Sequence, residues 1–132
     1  MDVRILADTN VFILFTQRLP LPSKVEEALD STETERFISA VSVIEIFRLW
    51  QSARLPDNPD TWLDLALSSW TVLPMTAPIA RQSALWPWSH RDPADRIIAA
   101  TAQIEKIELW HTDTGLKGLT GFPHCYFRNR LK

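Results

Sequence analysis

The sequence predicts an α/β fold, with a central, mostly parallel sheet of four or five strands and helices on both of its faces. Three observations predict it. Short apolar runs of strand character take turns with longer runs of helical period along the chain. Such alternation implies crossover connections, and crossovers produce parallel pairing covered on both sides. The composition, 45% hydrophobic and 23% charged, is that of an ordinary globular chain with a real core.

The elements follow in order. "VRILA" reads as a buried strand and "NVFILFT" as the helix opening behind it. "PSKVEEALDS" fits a short amphipathic helix. "RFISAV" is a second strand, followed by "SVIEIFRLWQSARL", in which Val43, Phe47, Trp50 and Arg54 fall at helical spacing. "NPDTWLDLALSSW" opens with a proline and an acid, as helices do. "TVLPMT" is a short third strand and "APIARQSALW" a helix. "DPADRIIAATAQIEK" carries the clearest helix signal, with Asp92 as N-cap, Pro93 in the first turn and Ile97, Thr101 and Ile104 in register. "IELWHT" is a fourth strand and "HCYFR" a fifth. No repeat, low-complexity tract or linker divides the chain, so residues 1–132 are expected to form one domain.

The net charge of −2 excludes a global basic field, so any nucleic-acid surface must be local. Cys125 is the sole cysteine, which excludes an internal disulfide and suits a reducing compartment. The start lacks a cationic segment followed by a long apolar stretch, and "VFILF" is too short to span a bilayer. The expectation is a cytoplasmic protein with no membrane partner. Only three glycines are present and no G-x-x-x-x-G-K, which excludes a P-loop nucleotide binder.

In parallel sheets ligands bind beyond the carboxyl ends of the strands. Four acids fall there: Asp8 after the first strand, Glu45 in the first turn of the helix after the second, Asp95 in the first turn of the 92–106 helix, and Asp113 after the fourth strand. At 5 Å each pair of charges repels by about 3 kcal/mol at an effective dielectric of 20. Protons or cations must offset such a cluster, and a hard divalent ion, Mg²⁺ or Mn²⁺, is the economical answer. Thr9, Asn10 and Thr112 would aim the acids or water. Each acid also has a plainer reading. Ser42-Val-Ile-Glu45 fits a capping box, Asp92 and Asp95 suit a helix start, and Asp113 suits a turn. Asp8 is hardest to dismiss, because aspartate is disfavoured in strands and a buried carboxylate needs a partner.

The segments "ILADTNVFI", "SAVSVIEIFRL", "SHRDPADRIIAATA" and "LWHTD" resemble, in order and spacing, the signature blocks of PIN-domain ribonucleases, above all the VapC-type toxins of prokaryotic toxin–antitoxin pairs. The resemblance runs from Ile5 to about Asp113, and its most specific block is His90 to Ala102. It implies a three-layer α/β/α sandwich and a Mg²⁺- or Mn²⁺-dependent endoribonuclease acting on single-stranded or structured RNA. Asp8, Glu45, Asp95 and Asp113 match the family's acids, Asn10 its polar neighbour of the first acid, and Thr112 the hydroxyl before the last. It also implies a homodimer and an antitoxin that covers the acidic site. Ala94 stands where the family commonly has a large aromatic, and the tail "HCYFRNRLK" departs from its pattern.

The expected mechanism is metal-assisted hydrolysis with in-line attack of water on the phosphodiester. His90 reads as a loop or capping contact rather than a ligand, and His111, inside a strand, as facing away from whatever Thr112 addresses. Arg48, Arg91 and Arg96 are the first candidates for RNA contact. Arg54, Arg81, Lys117, Arg128, Arg130 and Lys132 complete the possible basic rim, although singly most such charges are solvated surface. Trp50, Trp62 and Trp70 suit burial, while the Trp86/Trp88 segment reads as packing first and as an RNA groove second. The rival readings are a phosphatase with an aspartyl nucleophile, disfavoured by Asn10 where a second acid is needed, a receiver domain, which leaves Glu45 and Asp95 unexplained, and a non-catalytic PIN-like RNA- or protein-binding module.

Overall fold

A computed structural model describes residues 3–128. Five parallel strands form one sheet in the order β3-β2-β1-β4-β5: β1 (Val3–Ala7), β2 (Thr34–Ser39), β3 (Thr71–Leu73), β4 (Glu108–His111) and β5 (His124–Tyr126). Strand β1 is central because it is the most continuously apolar, with Ile5, Leu6 and Ala7 wholly buried. Alternation sends Ile5 and Ala7 to one face and Leu6 to the other, and each face has its own core.

The first core joins Ile5, Ala7 and Ile38 to α1 (Thr9–Thr16), α2 (Ser23–Asp30), α3 (Ala40–Gln51) and α4 (Leu63–Leu67). Phe12 anchors it, fully buried and edge-on to Trp70 at 4.9 Å, so Phe12→Ala would cost about 3–5 kcal/mol. The second core joins Leu6, Phe37 and Leu109 to Ile98, Ala99 and Ala102 of α6 (Pro93–Glu105) and to Leu116 of α7 (Thr114–Lys117), with α5 (Ala77–Leu85) packed on α6. The three-layer α/β/α sandwich expected from the sequence is therefore present, with all five strands parallel.

Three places differ from the sequence reading. Strand β2 ends at Ser39, whose hydroxyl accepts the Val41 N–H at 3.2 Å and starts α3 earlier than expected. Glu45 thus lies in the second turn of α3, not the first, and Ser42 is not an N-cap. The expected capping box does not form. The 58–70 helix breaks into a 3₁₀ turn, Pro59–Thr61, and the short α4, because Trp62 at φ −139° leaves helical geometry. Helix α7 went unpredicted, being four residues long with Gly115 inside it. No helix among the described residues is long and apolar enough to cross a membrane.

The chain runs from β1 outward through β2 to β3, then returns to place β4 and β5 on the other side of β1. The strand order reverses between β1 and β4, where a crevice opens beyond the carboxyl ends. Helices α1, α3, α6 and α7 all begin at this end. Their N-caps are Asp8, Ser39, Asp92 and Asp113.

Candidate active site

A cavity of about 640 Å³ occupies that crevice, lined by Asp8, Thr9, Asn10, Glu45, Asp95, Thr112 and Asp113, with Arg54, Asp92, Tyr126 and Arg128 at its margins. The four candidate acids and all three supporting polar residues therefore face one space. Among the described residues no lysine or arginine stands within salt-bridge distance of any of the acids.

One wall is built by Asp8 and Glu45. Asp8 caps α1 by accepting the Val11 N–H on Oδ1 at 2.7 Å. Burial pushes its carboxyl up to about 7, only partly offset by the N–H groups of Val11 and Thr112. Glu45 reaches across from α3 and accepts a short hydrogen bond from the Thr9 hydroxyl, which also pairs with the buried Ser42 hydroxyl at 2.8 Å. Burial raises the Glu45 carboxyl and the Thr9 bond lowers it, with a net rise. Ser42 is a site residue that the sequence reading considered only as a capping partner of Glu45; a hydroxyl one turn before the glutamate on the same helix face was its available signal. Asn10 donates from Nδ2 to Thr112 Oγ1 at 2.7 Å and so links β1 to β4 across the reversal point.

The opposite wall is built by Asp95 and Asp113, with His90 in contact with Asp95. Burial first, then a hydrogen bond to Asp113 and the charges of Asp113, Asp92 and Glu45, hold Asp95 well above the usual carboxylate range. Asp113 behaves oppositely. Burial alone would raise it, but the Asp95 proton, the Gly115 N–H at 2.7 Å and the facing imidazoles keep it low. The two carboxyls are pushed in opposite directions, Asp95 holding its proton tightly and Asp113 giving its own up readily, as close carboxylates are when no cation is bound. His90 Nε2 lies 2.8 Å from Asp95 Oδ2, so the loop contact expected of His90 is made to a site acid.

Behind Asp113 runs an ordered chain of imidazoles. The Asp113 N–H donates to His111 Nδ1 at 3.2 Å, which leaves the His111 proton on Nε2, 2.9 Å from His124 Nδ1. His124 Nε2 in turn donates to the Leu119 carbonyl at 2.8 Å. His111 is wholly buried, and burial together with the facing His124 pushes its imidazole down to about 4. It sits outside the cavity, on the side away from Thr112's role, and it braces the loop that carries Asp113.

The candidate cations divide. Arg48 and Arg91 are exposed, and Arg54 and Arg128 line the cavity. Arg96, expected to contact RNA, is instead committed to the 83–90 segment: it donates to the carbonyls of Ser83, Trp86, Trp88 and His90 and lies over the Trp88 ring. A guanidinium with five donors suits such backbone gathering better than any other side chain. Trp86 and Trp88 stack on each other at 4.0 Å and pack on Phe122, so this pair belongs to the second core and not to an open groove. Arg130 and Lys132 lie outside the described residues.

Comparison with known proteins decides the family. The family model for the PIN domain matches residues 5–121. The chain is a PIN domain.

Solved structures share its fold. A chain of DNA-bound VapBC from Salmonella typhimurium superposes with a TM-score of 0.72 at 15% identity, covering 94% of this chain and 98% of that one. A toxin–antitoxin complex from Klebsiella pneumoniae gives 0.65 at 22% identity, covering 87% and 92%. FitAcB from Neisseria gonorrhoeae gives 0.61 at 28% identity, covering 84% and 88%. No curated protein sequence matches the chain.

The donor set of this PIN domain fits a divalent cation. One atom each of His90, Asp95 and Asp113 lie within 4.8 Å of one another, and Asp8 and Glu45 face the same cavity with raised proton affinity. Where protons now hold the acids together, a doubly charged ion would do so more strongly.

Proposed function

We propose that this PIN domain is a Mg²⁺- or Mn²⁺-dependent endoribonuclease and the toxin of a toxin–antitoxin pair, with residues 1–132 forming the catalytic domain. One observation carries the reading: four acids from four different segments line one cavity, and no lysine or arginine among the described residues neutralises them.

In this mechanism Asp8, Glu45, Asp95 and Asp113 would hold the cation. When bound it supplies Lewis acidity, activating water and offsetting charge that builds on the phosphoryl oxygens. The chain's own groups do the rest. Thr9 and Ser42 fix the Glu45 carboxylate, and Asn10 and Thr112 keep the two central strands' ends in register. Arg54 and Arg128 at the cavity margin, with exposed Arg48 and Arg91, offset the acidic site's repulsion of the RNA backbone. The similar structures are toxin–antitoxin and VapBC complexes, which supports an antitoxin partner; that it covers this cavity and that the toxin is a homodimer are what the family resemblance implies.

The test is incubation of inhibitor-free protein with single-stranded RNA and Mg²⁺ or Mn²⁺, repeated with chelator and with Asp95→Asn. Expected is cleavage abolished by both changes. Cleavage that survives both overturns the assignment, and RNA binding without cleavage under either metal replaces it with the non-catalytic module.

A further inference from the structure

We infer that His90 is itself a ligand of the cation site, and that its imidazole tilts this site toward manganese over magnesium. The inference rests on the proposed function insofar as it takes the acidic cavity to hold a divalent ion, and it adds a nitrogen donor to what the acids provide.

Three independent features of the structure place His90 there. Its Nε2 is 2.8 Å from Asp95 Oδ2. Two neighbouring ligands of an octahedral ion bound at about 2.1 Å stand about 3 Å apart, so this contact already has the spacing of a coordination edge. Next, the ring occupies space that only glycine leaves. A Cβ on Gly115 would lie 2.6 Å from the His90 Cε1 and 2.7 Å from its Nδ1, so the chain after Asp113 is cut away where the imidazole enters. Finally, the backbone of His90 is indexed to the helix that carries Asp95. Arg96, the next residue on α6, donates to the His90 carbonyl at 2.9 Å and also grips Trp86 and Trp88. The imidazole and the Asp95 carboxylate therefore move as one unit.

A loop histidine that only capped or solvated would need none of this. The chemistry of the donors sets the consequence. Magnesium prefers an all-oxygen shell, whereas imidazole suits the later first-row divalent ions, which bind nitrogen sites more tightly in turn. A ring nitrogen of His90 lies within 4.8 Å of carboxylate oxygens of both Asp95 and Asp113, whereas both ring nitrogens of His111 are engaged by the Asp113 N–H and by His124.

The experiment uses Mn²⁺ as probe with the whole chain. Pulsed electron paramagnetic resonance of the wild-type protein loaded with Mn²⁺ is expected to show a ¹⁴N coupling that disappears in His90→Gln. Competition titrations of Mn²⁺ against Mg²⁺ are expected to show the Mn²⁺ preference falling about tenfold in His90→Gln. Manganese bound by wild type with no ¹⁴N coupling overturns the inference and leaves the carboxylate site intact. An unchanged Mn²⁺/Mg²⁺ ratio in a folded His90→Gln, with both ions weakened alike, also overturns it by reducing His90 to a positioning contact on Asp95. Failure of the wild type to bind either ion overturns the cation reading and this inference together.

Discussion

The two walls of the cavity solve the same electrostatic problem by different means. On the Asp8–Glu45 side, neutral donors satisfy the acids: backbone N–H groups at the start of α1, and the Thr9 hydroxyl backed by Ser42. On the Asp95–Asp113 side the two carboxyls shift each other in opposite directions, so that Asp95 holds its proton tightly, with an imidazole against its Oδ2. The first wall is built to persist with or without an ion. The second is complete only when something positive replaces the proton, so metal dependence should concentrate there.

Substitutions can break this contrast, and the largest effect is expected at Asp95. Asp95→Asn should lower RNA cleavage by more than about 100-fold, because even indirect partners of a metal site cost 10–100-fold. It should leave the melting temperature of the chelated protein near pH 7 little changed, since the raised Asp95 carboxyl already carries its proton there and a neutral amide can stand in its place beside Asp113. Loss of activity together with loss of stability would contradict the second wall's design.

The pH dependence of the metal-free protein comes next. Asp8, Glu45 and Asp95 bind protons more tightly folded than unfolded, so rising pH above about 4 strips the native state at a cost and lowers stability. His111 acts with the opposite sign: its depressed imidazole adds stability as pH rises from about 4 to 6.5. Above pH 6.5 only the acids still titrate, so the melting temperature in chelator should fall by roughly 5 °C or more on going to pH 9. Saturating Mn²⁺ should flatten that fall, as thermal scans across pH would reveal.

A smaller effect is expected on the first wall. Thr9→Val keeps the shape of the side chain and removes its hydroxyl, leaving Glu45 and Ser42 without their partner at a cost of about 1–3 kcal/mol. Cleavage should drop about tenfold while the Mn²⁺/Mg²⁺ preference stays unchanged, because the nitrogen donor sits on the other wall. The smallest effects belong to the rim. Arg54→Ala and Arg128→Ala should each weaken RNA association two- to threefold and reduce its salt dependence, by roughly one counterion per lost contact, without altering turnover at saturation.

Sequence and structure agree best where burial and topology dictate both. The apolar run of β1 forces a covered central strand, and the positions after β1 and β4 then have to meet at the reversal of strand order, which brings Asp8 and Asp113 together. Agreement fails where local chemistry has two outlets. Ser42 and Glu45 carry the spacing of a capping box, but Ser39 takes the helix start, and the spared pair turns inward to Thr9. Arg96 looks like a phosphate contact by charge alone. Its use on four carbonyls depends on the path of the 83–90 segment, which no periodicity reveals. His90 likewise depends on an opening made by Gly115, twenty-five positions along the chain, and short-range patterns do not report such absences.

Three of the cavity's acids, Asp8, Asp92 and Asp113, each also anchor the first turn of a helix. An amide performs that anchoring as well as a carboxylate does, whereas alanine performs it poorly. Replacing Asp8 or Asp113 by asparagine therefore deletes a charge from a scaffold left standing, while alanine also loosens the frame. The gap between the two variants at one position measures architecture apart from chemistry.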